Sequence, residues 1–323
     1  LTEYPTHVDI ELASVCNLKC VFCPHSMKKS EKKWPQGFMP LELFKKIIDD
    51  IEGKVPAIKL NLRGECTLHP QFEECLEYVK GKFVDIRANS NGNYPEHLNP
   101  KIAEVVDNWS FSCDALSKDL YTKIRVKGDY DILWNNAKKL YKLNSKIVHF
   151  SFVITEQNKD ELDEFESMIK RDFSEASVFS RPAMQRTEAA EYMVRGDYVS
   201  GGRKNCNMPM RRLSIDVEGS VYPCCVMWYP PFIIVGNAGE KNVLEIWNDL
   251  PINKLRKNLD LIGILNKKEG TVTKRDDLDS LTILDTTTKK EVELPLACIK
   301  CQSSESFIWN KKTEEVKDYY RKV

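Results

Sequence analysis

HVDIEL, residues 7–12, alternates apolar and polar positions, the pattern of a half-buried strand. Five later runs read the same way as strands: AIKLNL (57–62), FVDIRA (83–88), WSFSC (109–113), IVHFSFVI (147–154) and ASVFS (176–180). Between them the period lengthens. PLELFKKIIDDI (40–51) sets Leu43, Phe44, Ile47, Ile48 and Ile51 on one helical face, and FEECLEYVK (72–80) and DELDEFESMIKRDF (160–173) read as helices. Further helices are expected near 100–107, 117–125 and 130–142. Six strand–helix units with short links predict an α/β fold, a parallel sheet with helices outside it. Chemistry in such folds sits where strands end. The cysteine loop after strand one, RGE at 63–65, SNG at 90–92 and CD at 113–114 all fall there.

The alternation stops near residue 200. SGGRKNC (200–206) reads as a linker, dividing the chain into 1–199 and 200–323, with a polar insertion at about 263–294 in which LTILDTTTKKEVEL resembles a hairpin. No internal repeat is visible. At 323 residues, 42% hydrophobic and 30% charged, the chain supports one large core with a smaller appendage. A formal net charge of zero suggests neither a nucleic-acid nor an anionic-membrane partner. Lys28, Lys29, Lys32 and Lys33 form one basic run, either a solvated loop or an anion-attracting rim. No apolar stretch of about 18 residues predicts a membrane span. No secretory signal is visible, although the chain begins at Leu1 rather than Met. Eleven cysteines in groups point to metal ligation rather than disulfides, and so to a reducing cytoplasm.

Cys16, Cys20 and Cys23 crowd into the eight residues CNLKCVFC. Three thiolates can hold three irons of a [4Fe–4S] cluster and leave the fourth open. A zinc site completed by His25 or His69, or three unrelated core thiols, are the alternatives. A second group comprises Cys206, Cys224, Cys225, Cys298 and Cys301, which could also form a zinc ribbon. Cys75 falls on the apolar face of a helix and is expected in the core.

CNLKCVFC, with Phe22 before its last cysteine, resembles the signature of the radical S-adenosylmethionine (SAM) superfamily. RGECTLHP (63–70) is similar to that superfamily's Gly-Gly-Glu segment. Gly64 and Glu65 carry the match, while Arg63 stands where Gly is usual and Cys66 where Pro is usual. NSNG (89–92) is similar to its Thr-Asn-Gly, and FSCDALSKDLYTKIR (111–125) to its Ser-x-Asp-Gly…Tyr…Arg stretch, with Ala115 in place of Gly. The resemblance implies a partial (β/α)6 TIM-like barrel, a SAM-binding cluster on Cys16, Cys20 and Cys23, and a flavodoxin- or ferredoxin-type electron donor. It also implies SAM contacts from Phe22, Gly64, Glu65, Asn91, Ser112 and Arg125, with Glu65 accepting from the SAM ammonium. Glu65 read as a helix-start carboxylate, and Ser112 with Asp114 as turn chemistry, are the plain alternatives.

GSVYPC (219–224), VGNAGEKNVLEIWND (235–249) and CIKC (298–301) resemble SPASM/Twitch auxiliary-cluster domains. No cysteine follows Cys301, which suggests the shorter Twitch form. That form implies one auxiliary [4Fe–4S] cluster on Cys206, Cys224, Cys298 and Cys301, with Cys225 able to replace Cys224. The implied activity is hydrogen abstraction from a small polar substrate of sugar or cyclitol type. An alcohol would be oxidised and the auxiliary cluster would accept the electron. Asp114 or His149 is the expected proton acceptor, and Arg181 or Arg186 would orient the substrate. Two other enzymatic readings are modification of a ribosomally made peptide and epimerisation with Cys66 or Cys113 returning hydrogen, although packing is the first expectation for both thiols. The first strand starts near residue 7, so no peptide-binding winged helix is expected before it. Outside enzymes, a metal-bearing scaffold or binding module remains.

Overall fold

The computed structural model describes residues 2–23, 26, 34–183, 208–225, 233–265, 280–284 and 291–295. β1 (His7–Ile10) is followed by the short β2 (Lys19–Cys20), β3 (Ala57–Lys59), β4 (Asp85–Ser90) and β5 (Asn108–Ser112). The short β6 (Arg125–Val126), β7 (Val148–Ile154) and β8 (Val178–Pro182) come next. β1, β3, β4, β5, β7 and β8 are the six strands expected, and they lie side by side in chain order, all parallel. α1 (Leu41–Ile51), α2 (Phe72–Val79), α3 (Asn99–Val105), α4 (Lys118–Ile124), α5 (Tyr130–Leu143) and α6 (Leu162–Asp172) fill the links. β3 stops short of the predicted residue 62 for a local reason. The Asn61 side-chain oxygen accepts from the Asn89 amide (2.9 Å), taking over a ladder bond.

The sheet does not end at the expected boundary near 200. β9 (Arg212–Ile215) pairs parallel with β1 on its other side, and β10 (Ser220–Tyr222) and β11 (Gly236–Asn237) extend the sheet antiparallel to nine strands. α7 (Val243–Trp247) and α8 (Leu250–Leu265) follow. β12 (Ser280–Leu284) and β13 (Glu291–Pro295) then pair antiparallel, as the hairpin pattern predicts.

The helices press the apolar face of each strand into one core. Phe44, Ile47, Ile48 and Ile51 of α1 and Phe72, Cys75, Leu76 and Val79 of α2 are buried there, so Cys75 is a core thiol as expected. Phe150 is central to the far side, with ring centroids 5.0 Å from Phe173, 5.6 Å from Trp134 and 5.9 Å from Phe111. Val8 and Ile10, Ile58, Ile86 and Ala88, Phe150 and Phe152, and Leu213 and Ile215 all belong to this core. Strand alternation therefore turns Asp9, Lys59, Arg87, His149, Ser151 and Arg212 to the opposite, inner face of the sheet. That inner face is largely polar, with Ala57, Val153 and Phe179 as apolar positions on it.

Candidate functional site

The cysteine loop is anchored where β1 ends. Ser14 N–H donates to the Gly37 carbonyl (3.0 Å), and Glu65 N–H donates to the Val15 carbonyl (2.9 Å). A Cβ on Gly64 would stand 2.3 Å from the Ala13 oxygen and 2.4 Å from the Val15 oxygen, so only glycine lets the two segments run together. Farther along, β2 pairs antiparallel with β6, setting Cys20 opposite Arg125, and Val21 N–H donates to the Ile124 carbonyl (2.9 Å). The helix expected over 117–125 thus gives up its last residue to hold the loop.

Side-chain N–H donors reach the sulfurs. Asn91 Nδ2 donates to Cys16 Sγ (3.7 Å), and an Arg125 guanidinium N–H donates to Cys20 Sγ (3.8 Å). The Arg125 guanidinium also stands 5.9 Å from the Phe22 ring centroid. Burial, reinforced by the Glu65 charge, pushes the Cys16 thiol up to about 11. Burial raises Cys20 as well, against the pull of Arg125. Ligation at this loop must therefore displace protons. Among the described residues no three metal-ligating side chains converge closely enough for a single ion. A four-iron cluster binds each thiolate to a separate iron and needs no such convergence.

Glu65 lies under the loop, 2% exposed. Its Oε1 accepts from Thr67 Oγ1 (2.8 Å) and Ser90 Oγ (2.9 Å), and its Oε2 accepts from Asn91 N–H (2.8 Å). It also caps the single helical turn Cys66–Leu68. Glu65 is therefore a helix-start carboxylate as well as a residue beside the thiols. Burial raises its pKa while these donors lower it. Oε2 has one such donor and retains acceptor capacity.

The expected chemical residues Asp114, His149, Cys66 and Cys113 each have partners within the protein. Asp114 is fully buried; one oxygen pairs with Arg125 (2.6 Å) and the other accepts from Val153 N–H (2.7 Å). Its backbone is left-handed (φ 65°), with its carbonyl bonded by Asn158 Nδ2 (2.8 Å). Asp114 holds Arg125 in place. His149 is the second residue of β7, toward the strand's far end from the cysteine loop, and its Nδ1 bonds Ser177 Oγ (2.9 Å). Cys113 and Cys66 are wholly buried core thiols. Cys113 follows Ser112, so alternation sends it to the helix side, where its thiol donates to the Ala115 carbonyl (3.3 Å) and burial lifts it to about 12. Ser112 faces inward, accepting from Ser151 Oγ (3.0 Å). Arg181 sits beside Val153 in register and within electrostatic reach of Asp114.

Comparison with known proteins fits this arrangement. The radical SAM superfamily pattern matches residues 10–169, and an iron–sulfur cluster-binding (SPASM) domain matches 206–269. The chain belongs to the radical SAM superfamily. Mycofactocin maturase MftC of Mycolicibacterium smegmatis is 29% identical over 176 residues, 52% of this chain and 43% of its own. The chain thus matches less than half the length of that curated relative. Among solved structures, Streptococcus suis SuiB bound to S-adenosylmethionine superposes with TM-score 0.65 at 16% identity, over 79% of this chain and 68% of its own. BtrN in complex with AdoMet and 2-DOIA superposes with TM-score 0.53 at 17% identity, over 83% of this chain and 92% of its own. At these identities the two structures show the fold.

A radical SAM chain with a SPASM domain carries SAM, a [4Fe–4S] cluster and auxiliary iron–sulfur ligation. The residues present fit that equipment. Two donors already face sulfurs of the cysteine loop, and Arg125 Nε is buried without a hydrogen-bond partner among the described residues. Cys224 lies just past the end of β10, 5% exposed, with Cys225 half-exposed next to it. Cys206, Cys298, Cys301, His25 and Arg186 lie outside the described residues. Among the described residues no helix is long and apolar enough to cross a membrane.

One cluster of charges escaped the sequence reading. Arg63 Nε bonds Glu11 Oε1 (2.8 Å) and its NH2 reaches Asp216 (3.4 Å), which also accepts from the Tyr222 hydroxyl (2.7 Å). Arg63 and both carboxylates have fully buried side chains. The departure from glycine at position 63 thus ties the Gly64–Glu65 loop to β1 and to the turn after β9. Its signal was present in the inward parity shared by Asp9 with Glu11 and by Lys59 with Arg63.

Proposed function

We propose that this radical SAM enzyme oxidises an alcohol of a small polar substrate of sugar or cyclitol type, a single auxiliary [4Fe–4S] cluster on Cys206, Cys224, Cys298 and Cys301 accepting the electron. The observation that carries this reading is the inner face of the sheet. Below the cysteine loop it presents Asn89, Ser112, Ser151, Lys59 and Arg87, a lining that suits a hydroxylated molecule and disfavours an apolar one. Bound together, the cluster and SAM supply a 5′-deoxyadenosyl radical able to take hydrogen from unactivated C–H bonds. Glu65 would accept from the SAM ammonium through Oε2, while Arg125, fixed by Asp114, would meet its carboxylate. Asn91, Ser112 and Phe22 would complete that pocket, and Arg181 would orient substrate from the last strand.

A second reading, modification of a peptide, draws support from the likeness to a mycofactocin maturase and to a SuiB structure solved with its precursor peptide. Epimerisation with Cys66 or Cys113 as hydrogen donor has no support, since both thiols are closed into the core.

Anaerobic reconstitution followed by dithionite and SAM tests the radical chemistry. Wild type should form 5′-deoxyadenosine and Cys16→Ala should not; equal yields would end the proposal. Iron should approach about eight atoms per chain, and a triple Cys16/Cys20/Cys23→Ala variant should keep about four, the content of one cluster. Mass spectrometry then separates outcomes. An oxidised product is two hydrogens lighter, and turnover confined to peptide substrates would favour the second reading.

A further inference from the structure

Lys59 closes β3 with Asp9 of β1 and Arg87 of β4 as its register partners. Its neighbour Ile58 is wholly in the core, so Lys59 points inward. There its ammonium makes no hydrogen bond or ion pair with any described residue. Asp9 lies close by but is already engaged, accepting from Ser214 Oγ (2.8 Å), pairing with His7 Nε2 (3.0 Å) and standing 3.7 Å from Arg212. Arg87 is taken by Asp85, its Nε 2.6 Å from the carboxylate. Burial lowers the pKa of Lys59, with Asp9 opposing and Arg212 and Arg181 adding their repulsion. His7 adds no further positive charge, because burial drops it to about 4 and leaves it neutral.

Lys59 and Arg212 thus share one carboxylate, and a half-buried ammonium with no partner of its own among the described residues is costly unless an anion joins it. The place matters too. Arg212 also hydrogen-bonds Cys225, next to the expected auxiliary ligand Cys224. An anion here would lie between the cysteine loop at one end of the inner face and the Cys224–Cys225 strand end beside it.

Building on the substrate class proposed above, we propose that Lys59, flanked by Arg181 and Arg212, binds an acid group of the substrate, a phosphate or a carboxylate. The substrate is then an acidic polyol rather than a neutral sugar.

Labelled inorganic phosphate and succinate are the probes, measured by equilibrium dialysis against cluster-loaded wild type, Lys59→Met and Lys59→Arg. One anion should bind wild type saturably, weaken roughly tenfold or more in Lys59→Met, and recover in Lys59→Arg. Phosphate as the tighter ligand marks a phosphorylated substrate, and succinate a carboxylic acid. No saturable binding to wild type, or equal binding to wild type and Lys59→Met, overturns the proposal. Iron content and thermal melting verify assembly, with Lys59→Gln replacing Lys59→Met if the latter misfolds. The assay needs no turnover, so a wild type that binds anion yet forms no 5′-deoxyadenosine would count against the radical chemistry alone.

Discussion

At position 64 a side chain has nowhere to go, since the space belongs to two carbonyl oxygens of the Ala13–Val15 segment. Gly64→Ala should push the Glu65 loop off that segment and weaken SAM binding roughly tenfold or more, a loss of about 1.4 kcal/mol or more readable by calorimetry. Unchanged affinity would show that the close approach is dispensable. Asn91 and Arg125 invite a different measurement. N–H donors to cluster sulfurs stabilise the more negative, reduced state and so raise the reduction potential. Asn91→Ala should lower the midpoint of the SAM-binding cluster in an EPR-monitored titration while its backbone N–H still serves Glu65. A midpoint equal to wild type would refute a hydrogen bond to Cys16 in the loaded protein. Motif identity made these residues visible in the sequence, but not their partners. Asn91 and Cys16 are 75 positions apart, and Arg125 and Cys20 are 105 apart.

Among the elements, the helices were the most legible because their starts and faces are written locally. Asp129 caps α5 through the N–H groups of Asp131 (2.9 Å) and Ile132 (3.1 Å). Asp129→Ala should cost about 1 kcal/mol in thermal or urea unfolding, a value typical of lost caps. Phe150, packed between β5, α5 and α6, should cost more. Phe150→Ala is expected to lose about 3–5 kcal/mol, as large aromatic truncations do, and a loss below that of the cap variant would contradict the packing described. The pairing of β2 with β6 was not legible, since two-residue strands carry no periodic signal. The side taken by Cys113 was not legible for a related reason. Lying at a strand end identifies the region of chemistry, but parity decides the side, and Ser112 takes the inner one.

Across the whole molecule, the Arg63–Glu11–Asp216 group joins the N-terminal strand to the region beyond residue 208. Arg63→Met would leave two carboxylates buried without their cation, which should destabilise the fold by about 3–5 kcal/mol. Burial already raises the Glu11 pKa with Arg63 present, and the variant should raise it further. A folded pKa above the unfolded one favours the folded state at low pH. The deficit against wild type should therefore be smallest near the unfolded carboxylate pKa of about 4.3 and grow as pH rises through the folded value. Urea unfolding across pH checks it; a deficit independent of pH would remove the carboxylates from the explanation. The order of strands and helices, the three-thiol loop and the Gly64–Glu65 segment were settled by the sequence itself, because period and spacing are local properties of a chain. Which thiols face the core, which carboxylates are spent on ion pairs, and that β9 joins the sheet beside β1 were decided only by the tertiary structure. Those facts depend on partners up to 205 positions apart, as in the bond of Ser214 to Asp9, brought together when the strands align.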